Sequence, residues 1–422
     1  MQRPLVLALI AVGLFSLQLP SASATTSGSL DRTFAGDGIA YLPHAAYAVA
    51  VQPDGKILVA GGGLTRYNRD GSVDRTFSGD GQVPTPFAGG AYFGAVVVQP
   101  NGRIVVGGTA ETKNNHSAFA FARYMPDGSL DASFSGNGKL AAIKVGSWNA
   151  SEISDVAFGP HTIVASAYFD DGRHYVFGVL RLTRRGTPDT SFSGDGVAVT
   201  RFDPHPAAFA ESVAVQPDGA IVAAGSVRSS SNEAAGFAVA RYLSDGTHDA
   251  SFDGNGKRTL GFGGSWSGAS DLALQSDGKI VITGTVHNGP SSAYGPLSIA
   301  LARCNSDGTL DDSFAGDGKR VTSGSDGNLR AAAVAIQSDG KIVVGGEATP
   351  TFDEYPTNFA LARYTAGGVL DTSFAGDGIR VMSFRLDDWI DDIALQSNGK
   401  IVVVGASQGQ PPRGYAVARY LA

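Results

Sequence analysis

The stretch RYMPDGSLDASFSGNGK, from Arg123 to Lys139, recurs in close copies along the chain. Aligned on the phenylalanine of its Asp-x-x-Phe segment, it occurs seven times, at Phe34, Phe77, Phe134, Phe192, Phe252, Phe314 and Phe374. Neighbouring copies lie 43 to 62 residues apart. A repeat period of this size is typical of a solenoid, a propeller or a linear array.

The composition favours strands over helices. The 422 residues are 43% hydrophobic and 17% charged, which is enough for a large core and is not typical of a disordered chain. Glycine is abundant, at 57 residues, and it suits tight turns while it weakens helix interiors. No amphipathic segment of helical period follows the N-terminus. We therefore predict an all-β protein.

Each repeat contains four strand signals. The segment VAVQPDGKILVAG, residues 49–61, is two alternating apolar runs joined by a Pro-Asp-Gly turn, which predicts a hairpin. A third strand such as FALARY (359–364) and a fourth such as KRVTS (319–323) follow. Seven such units predict a seven-bladed β-propeller with four antiparallel strands per blade. A linear array is the alternative, but a blade of about 60 residues cannot bury both faces alone.

The combined pattern QPDGKIVVxG…FxxARYxxDGxLDxSFxGDG resembles the bacterial delta-60 repeat, a family of β-propellers of unknown function. The resemblance covers nearly all of residues 25–422. The sequence departs from the family's pattern in two units. In the third, AFGPHTIV (157–164) lacks Asp-Gly, and in the fourth, Ala220 replaces lysine. The resemblance implies a propeller in an exported or surface setting, and it implies no catalytic residues.

Two polar positions hold in all seven units, an arginine of the third strand and the aspartate of the LDxSF segment. Six arginines precede an aspartate by eight residues, so the turn can fold back and pair the two. We interpret these pairs as a structural clasp: Arg66–Asp74, Arg123–Asp131, Arg181–Asp189, Arg241–Asp249, Arg303–Asp311 and Arg363–Asp371.

The two unmatched members of this set, Asp31 and Arg419, lie near opposite ends of the chain. We expect residues 38–43 to pair antiparallel with residues 415–420 and so complete the last blade. Asp31 should then accept Arg419, and the N-terminal strand should close the propeller.

Residues 1–24 are predicted to be a secretory signal. Arg3 precedes an apolar run from Leu5 to Leu19, and Ala22 and Ala24 form an Ala-x-Ala cleavage pattern. An uncleaved anchor is the alternative, although the run is short for a spanning helix. We expect residues 25–422 to be one exported monomeric domain, secreted, periplasmic or on the cell surface, with no membrane span after cleavage. The net charge of −7 argues against a nucleic-acid partner.

The connections from second to third strands and from fourth to first strands share one face and are the variable ones, so we expect binding on that face. The fourth-to-first connections carry the candidate residues. All three tryptophans fall in these connections, with acidic residues nearby. Aromatic rings beside carboxylates suit a sugar or a cationic ligand. The candidate binding residues are Trp148, Trp266, Trp389, Asp155, Glu211, Asp271 and Asp392. The alternative is that the rings wedge between blades and the aspartates bond to strand-end amides.

The leading hypothesis is an exported non-catalytic propeller that binds a glycan or a surface protein. A protein-interaction or structural propeller is one alternative. A lactonase-like or quinoprotein-like enzyme with an acidic channel-mouth site is another. We expect no cofactor. Calcium is an alternative at the Gly-Asp-Gly steps, although the D-x-D-x-D-G spacing is absent.

Overall fold

A computed structural model describes residues 26–42, 44–87, 89–111, 117–142, 144–145, 148–229, 234–289, 296–324, 327–349, 356–384, 387–408 and 414–422. Within these ranges the chain forms 29 strands and no helix, which confirms the all-β class. Consequently, the described residues contain no helical segment that could span a bilayer. The predicted signal sequence lies outside the described residues.

The strands fall into four kinds by their place in the repeat. The first strands are β2 (Ala46–Val51), β6 (Ala91–Val98), β11 (Trp148–Phe158), β15 (Ala207–Val215), β19 (Trp266–Leu274), β23 (Asn328–Ile336) and β27 (Asp387–Leu395). The second strands are β3 (Ile57–Gly61), β7 (Ile104–Glu111), β12 (Thr162–Asp170), β16 (Ile221–Arg228), β20 (Ile280–His287), β24 (Ile342–Thr349) and β28 (Ile401–Gln408).

The third and fourth strands complete each set. The third strands are β4 (Gly63–Tyr67), β8 (Ser117–Tyr124), β13 (Tyr175–Thr183), β17 (Ala234–Tyr242), β21 (Leu297–Cys304), β25 (Asn358–Tyr364) and β29 (Gly414–Tyr420). The fourth strands are β1 (Ile39–Leu42), β5 (Gln82–Pro84), β9 (Lys139–Ala142), β14 (Val197–Thr200), β18 (Lys257–Leu260), β22 (Lys319–Ser323) and β26 (Ile379–Met382). A short extra strand, β10 (Lys144–Val145), pairs with the start of β11.

Each set is an antiparallel sheet in which the first strand pairs with the second, the second with the third and the third with the fourth. This order follows from the hairpin signals of the repeat, since short turns join neighbouring antiparallel strands. One parallel bridge, between Ala235 and Ser267, links the sets that contain β17 and β19. The predicted four-stranded antiparallel units are therefore present.

The last set takes its fourth strand from the other end of the chain. Strand β1 pairs antiparallel with β29, with Ile39 opposite Ala418 and Leu42 opposite Tyr415. The predicted pairing of the two chain ends is confirmed, apart from Pro43, which lies outside the described residues.

The core lies between neighbouring sheets. One buried cluster joins the first and last sets, with Phe34, Val49 and Ile57 packed against Val402 and Val417. The first strands also contact one another in sequence from β2 to β27, and β27 contacts β2 again. The alternating apolar residues of each first strand thus pack against the strands of adjacent sheets.

Every first strand has a β-bulge at the same place in the repeat. A bulge leaves one residue without a partner on the neighbouring strand. It also bends the strand and changes the direction of the side chain. The bulged residues are Tyr47, Gly94, Ser154, Glu211, Ser270, Ala332 and Asp391. The residue after each bulge is Ala, Ser or Asp, and this position includes three of the candidate binding residues.

Candidate functional site

The arginines and aspartates that define the repeat lie together in all seven units. Each arginine donates from Nε to the aspartate Oδ2 at 2.7–2.9 Å. The phenylalanine three residues after the aspartate is buried, and its ring centroid lies 4.4–5.1 Å from the guanidinium carbon. A buried charge is stable only when paired and hydrogen-bonded, and this loop supplies both conditions.

The same guanidinium groups join neighbouring sheets. Arg66 Nη1 donates to the Pro126 carbonyl of the next unit at 2.6 Å, and Arg181 Nη1 donates to the Ser244 carbonyl at 2.5 Å. Arg419 Nη1 donates to the carbonyl of Arg69 in the first unit. The arginines are thus occupied on two sides, which leaves them little capacity for a ligand.

Three candidate binding residues each connect their own first strand to the first strand of the next set: Asp155, Asp271 and Asp392. Asp155 Oδ2 accepts the Val213 amide at 3.0 Å, and Asp271 Oδ2 accepts the Val334 amide at 2.7 Å. Asp392 Oδ2 accepts the Val49 amide at 2.7 Å, which again links the last set to the first. These carboxyls therefore hold neighbouring sheets together through backbone amides.

Ser212 holds two of these carboxyls close together. Its Oγ lies 3.1 Å from Asp155 Oδ2 and 2.7 Å from Asp271 Oδ1. One hydroxyl has a single proton and can donate to only one of them, so the second contact requires a proton on a carboxyl. Burial and the charge of Asp155 raise the pKa of Asp271 to about 7, which supplies that proton.

The other two carboxyls of this group also have raised pKa values. Burial raises the pKa of Asp155, and burial together with the nearby Asp271 carboxyl raises the pKa of Asp392 well above its usual value. In the part of the chain that the structure describes, no three His, Cys, Asp or Glu side chains converge as metal ligands would.

The tryptophans lie in strands, so the prediction that they occupy connecting loops was wrong. Trp266 begins β19 and Trp389 is the third residue of β27. Trp148 begins β11, and its side chain lies outside the described residues. The first strands extend further toward the variable loops than their apolar runs suggest, because the bulge lets pairing continue past the break in alternation.

Trp389 lines a cavity of about 530 Å³, within the range of small-molecule sites. Its ring is partly exposed, and its indole N–H donates to Asp391. Burial raises the pKa of Asp391 to about 7, and the nearby Glu347 carboxylate contributes to that rise. Arg330 Nε lies 3.4 Å from Glu347 Oε1, so one of the two acids is neutralised by a cation.

Three residues that line this cavity each have a buried side-chain atom with no hydrogen-bond partner among the described residues. These atoms are Thr349 Oγ1, Thr357 Oγ1 and Asp391 Oδ2. Thr349 is 7% exposed and Thr357 is 8% exposed. A buried polar atom without a partner costs about 1–3 kcal/mol, so such groups normally meet water or a ligand. Their convergence in one cavity makes this the strongest candidate site.

Trp266 lines a second cavity of about 380 Å³, together with Glu211, Arg228, Ser270 and Thr285. Burial raises the pKa of Glu211 to about 7, with a contribution from the neighbouring Glu152 carboxylate. Glu211 and Asp391 both occupy bulge positions, in β15 and β27. Two candidate residues from the sequence, Trp266 and Glu211, thus share one cavity.

Asp392, a site residue predicted from the sequence, accepts the Val49 amide, whereas its neighbour Asp391 lines the Trp389 cavity. The bulge decides which of the two adjacent aspartates faces which way, and period-two alternation alone does not reveal it. Thr349 and Thr357 were also missed, because a single threonine at a strand end carries no distinctive sequence signal.

The repeats match a known family. The sequence pattern described as "Domain of unknown function (DUF5122) beta-propeller" matches residues 52–77, 99–134, 216–252, 275–314, 337–374 and 396–422. Six segments of the chain are thus similar to this family. The third unit, where Gly159 replaces the repeat's glutamine, is not among the matched segments. No curated protein matches the chain in sequence.

Solved structures of similar fold are distant in sequence. A glucose dehydrogenase is 13% identical with a TM-score of 0.41, and covers 91% of this chain and 99% of its own. A gluconolactonase from Xanthomonas campestris is 12% identical with a TM-score of 0.39, over 94% of both chains. Drosophila Semaphorin 1b is 10% identical with a TM-score of 0.44, over 94% of this chain and 88% of its own. At this similarity no functional argument rests on them.

Proposed function

We propose that the chain is a seven-bladed β-propeller, closed by strand β1, that is exported and binds a neutral glycan at the Trp389 cavity. Three contacts support the closed ring. The β1–β29 pairing joins the two ends of the chain, and the Asp392–Val49 and Arg419–Arg69 hydrogen bonds join the last set to the first. Closure of this kind leaves few exposed sheet edges.

The observation that carries the binding proposal is the set of unpaired polar atoms beside a tryptophan ring. A sugar presents an apolar face of C–H groups and a rim of hydroxyls. The partly exposed Trp389 ring suits the apolar face. Thr349, Thr357 and Asp391 each need a partner, and a sugar hydroxyl can donate to the carboxyl and exchange hydrogen bonds with the threonines.

The charges of the cavity favour a neutral ligand over an ionic one. Arg330 and Glu347 offset each other, and Asp391 titrates near neutral pH. Neither a strong anion nor a strong cation would find an uncompensated opposite charge here. A neutral polyol, by contrast, satisfies the unpaired atoms without burying a charge.

The test is binding of the purified mature protein, residues 25–422, to a glycan array, followed by titration of each glycan that binds. Thr349→Val keeps the shape of the side chain and removes the unpaired hydroxyl. We expect this variant to weaken binding roughly 5- to 30-fold, the value of one or two kcal/mol, without loss of thermal stability. Thr65→Val is the matched control, since Thr65 of β4 is also buried but its hydroxyl already bonds the His44 ring. Unchanged glycan affinity in Thr349→Val would contradict this site assignment.

A glycan-modifying enzyme is the second candidate. Two carboxyls whose pKa lies near 7, Glu211 and Asp391, are suited to proton transfer at neutral pH. Chromatography of a bound glycan after prolonged incubation distinguishes the two functions. An intact glycan supports binding alone, whereas shorter or modified products that require Asp391 support catalysis.

A further inference from the structure

The Trp389 and Trp266 cavities are adjacent. Both are lined by Ala331 and Ala332 of β23, the first strand that lies between β19 and β27. A pair of alanines is therefore the partition between the two spaces. An alanine side chain is a single methyl group, so little side-chain volume separates the two cavities.

The bulge positions between the two cavities hold small side chains. Glu211 and Asp391 occupy the bulges of β15 and β27, and the bulges between them hold Ser270 and Ala332. Small side chains thus separate two carboxyls, each of which has a tryptophan in its cavity. The arrangement is a two-part groove with a similar set of groups at both ends.

From this geometry we propose that the ligand is an oligosaccharide of two or more units, bound with one unit at Trp389 and the next at Trp266. This inference rests on the proposed glycan-binding function. The Trp389 end holds the three unpaired polar atoms and is the stronger subsite. The Trp266 end offers a partly exposed ring with the Glu211 carboxyl and the Arg228 guanidinium beside it, and it adds affinity only when the chain is long enough to reach it.

Chain length separates this proposal from simple monosaccharide binding. The probes are a panel of mono- to tetrasaccharides of glucose, xylose, mannose and N-acetylglucosamine, titrated into the mature protein by calorimetry and NMR. For the sugar that binds, we expect the tetrasaccharide to bind at least about 10-fold more tightly than the monosaccharide.

Two variants test the groove itself. Ala332→Leu raises the partition without changing either tryptophan, and Trp266→Ala removes the second ring. Both should reduce tetrasaccharide affinity about 10-fold. Trp266→Ala should change monosaccharide affinity less than twofold, because Trp266 lines only the second cavity. Gly94→Leu is the matched control, because Gly94 holds the same bulge position in β6, outside both cavities, and a Cβ there meets only ordinary contacts at 3.7 Å or more. It should bind both probes like the wild type.

The outcomes distinguish this inference from the function on which it rests. Equal affinities for monosaccharide and tetrasaccharide would overturn the two-subsite groove and leave glycan binding intact, as would a normal tetrasaccharide affinity in Ala332→Leu. Failure of every probe to bind would overturn glycan binding, and the groove with it.

Discussion

Arg419 and Asp31, 388 residues apart in the sequence, form a buried ion pair with 2.7 Å between Nε and Oδ2. Lys400 Nζ lies 2.6 Å from the same carboxylate oxygen. Burial opposes ionisation of Asp31, but hydrogen bonds from Lys400 and Thr33 and the charge of Arg419 outweigh it and lower the pKa to about 2. The two ends of the chain are therefore joined by the same contact that each inner unit makes within itself.

Loss of this pair should destabilise the whole protein. Asp31→Ala leaves the Arg419 guanidinium buried without its carboxylate, which typically costs about 3–5 kcal/mol. Denaturant unfolding measures the change. Asp37→Ala is the control, since the Asp37 side chain is exposed and accepts the amide of Ile39, two residues away. Deletion of residues 25–43 should have a larger effect than Asp31→Ala, and a deletion variant as stable as the mature protein would refute a structural role for this segment.

The fourth unit lacks a cation that other units have, and restoring it should be stabilising. Lys56 Nζ lies 2.7 Å from Asp74, whereas the corresponding residue beside Asp249 is Ala220. We expect Ala220→Lys to raise the free energy of unfolding by up to about 1 kcal/mol, as for a partly exposed pair. Lys56→Ala should lower it by a similar amount. The prediction fails if Ala220→Lys unfolds at the same denaturant concentration as the wild type.

Stability should be greatest in mildly acidic solution. Asp271, Glu211 and Asp391 have pKa values of about 7, so they keep protons in the folded protein that the unfolded chain releases above about pH 4. Their contribution is present at low pH and is lost as the pH rises toward 7, with a slope of up to about 1.4 kcal/mol per pH unit for each carboxyl.

The clasp aspartates have the opposite effect on the pH dependence of stability. The pKa of Asp31 is lowered, so its contribution is present above about pH 4 and is lost as the pH falls toward 2. Together these groups place the pH of maximum stability near 4–5. Asp271→Ala, which introduces the residue found after the bulge in β2, β6 and β23, should flatten the slope between pH 5 and 7. A stability that rises steadily to pH 7 would contradict the protonated carboxyls.

The two tryptophans should matter for binding more than for folding. Both rings are partly exposed, so the double variant Trp266→Ala and Trp389→Ala should keep a thermal midpoint close to that of the wild type. Glycan affinity should fall by a few kcal/mol, which abolishes measurable binding of a weak ligand. A sharp drop in the thermal midpoint would instead identify the rings as part of the packing between sheets.

The sequence predicted the clasp and the pairing of the chain ends well because both depend on local spacing. An arginine eight residues before an aspartate fits one turn, and the unmatched Asp31 and Arg419 could pair only with each other. The Trp389 cavity was harder to predict. Whether Asp391 or Asp392 faces the cavity depends on a bulge, and Thr349 and Thr357 meet there because β24 and β25 pair across a connecting segment. Such convergence depends on strand register and on the path of the connecting loop. Neither can be inferred from the types of individual residues.

The two chain ends lie in the geometry of an inner turn, which predicts that a circular permutant will fold. Gly28 donates to the Leu421 carbonyl at 2.9 Å, and Leu421 donates to the Ser29 carbonyl at 2.9 Å, so Ser27 and Ala422 occupy the place of the turn in the inner units. Gly28 has a φ of 84°, close to the 92° of Gly128 in the second unit.

Joining Ala422 directly to Ser27 would place Asp31 eight residues after Arg419, the spacing of the other six pairs. A permutant that begins at His44 and ends at Pro43, with this junction, should therefore fold and should bind glycans like the mature protein. Its covalent turn removes the entropic cost of bringing the two chain ends together. The permutant should therefore be at least as stable in denaturant as the mature protein. A permutant that fails to fold would show that the two ends cannot be joined by the turn that the inner units use.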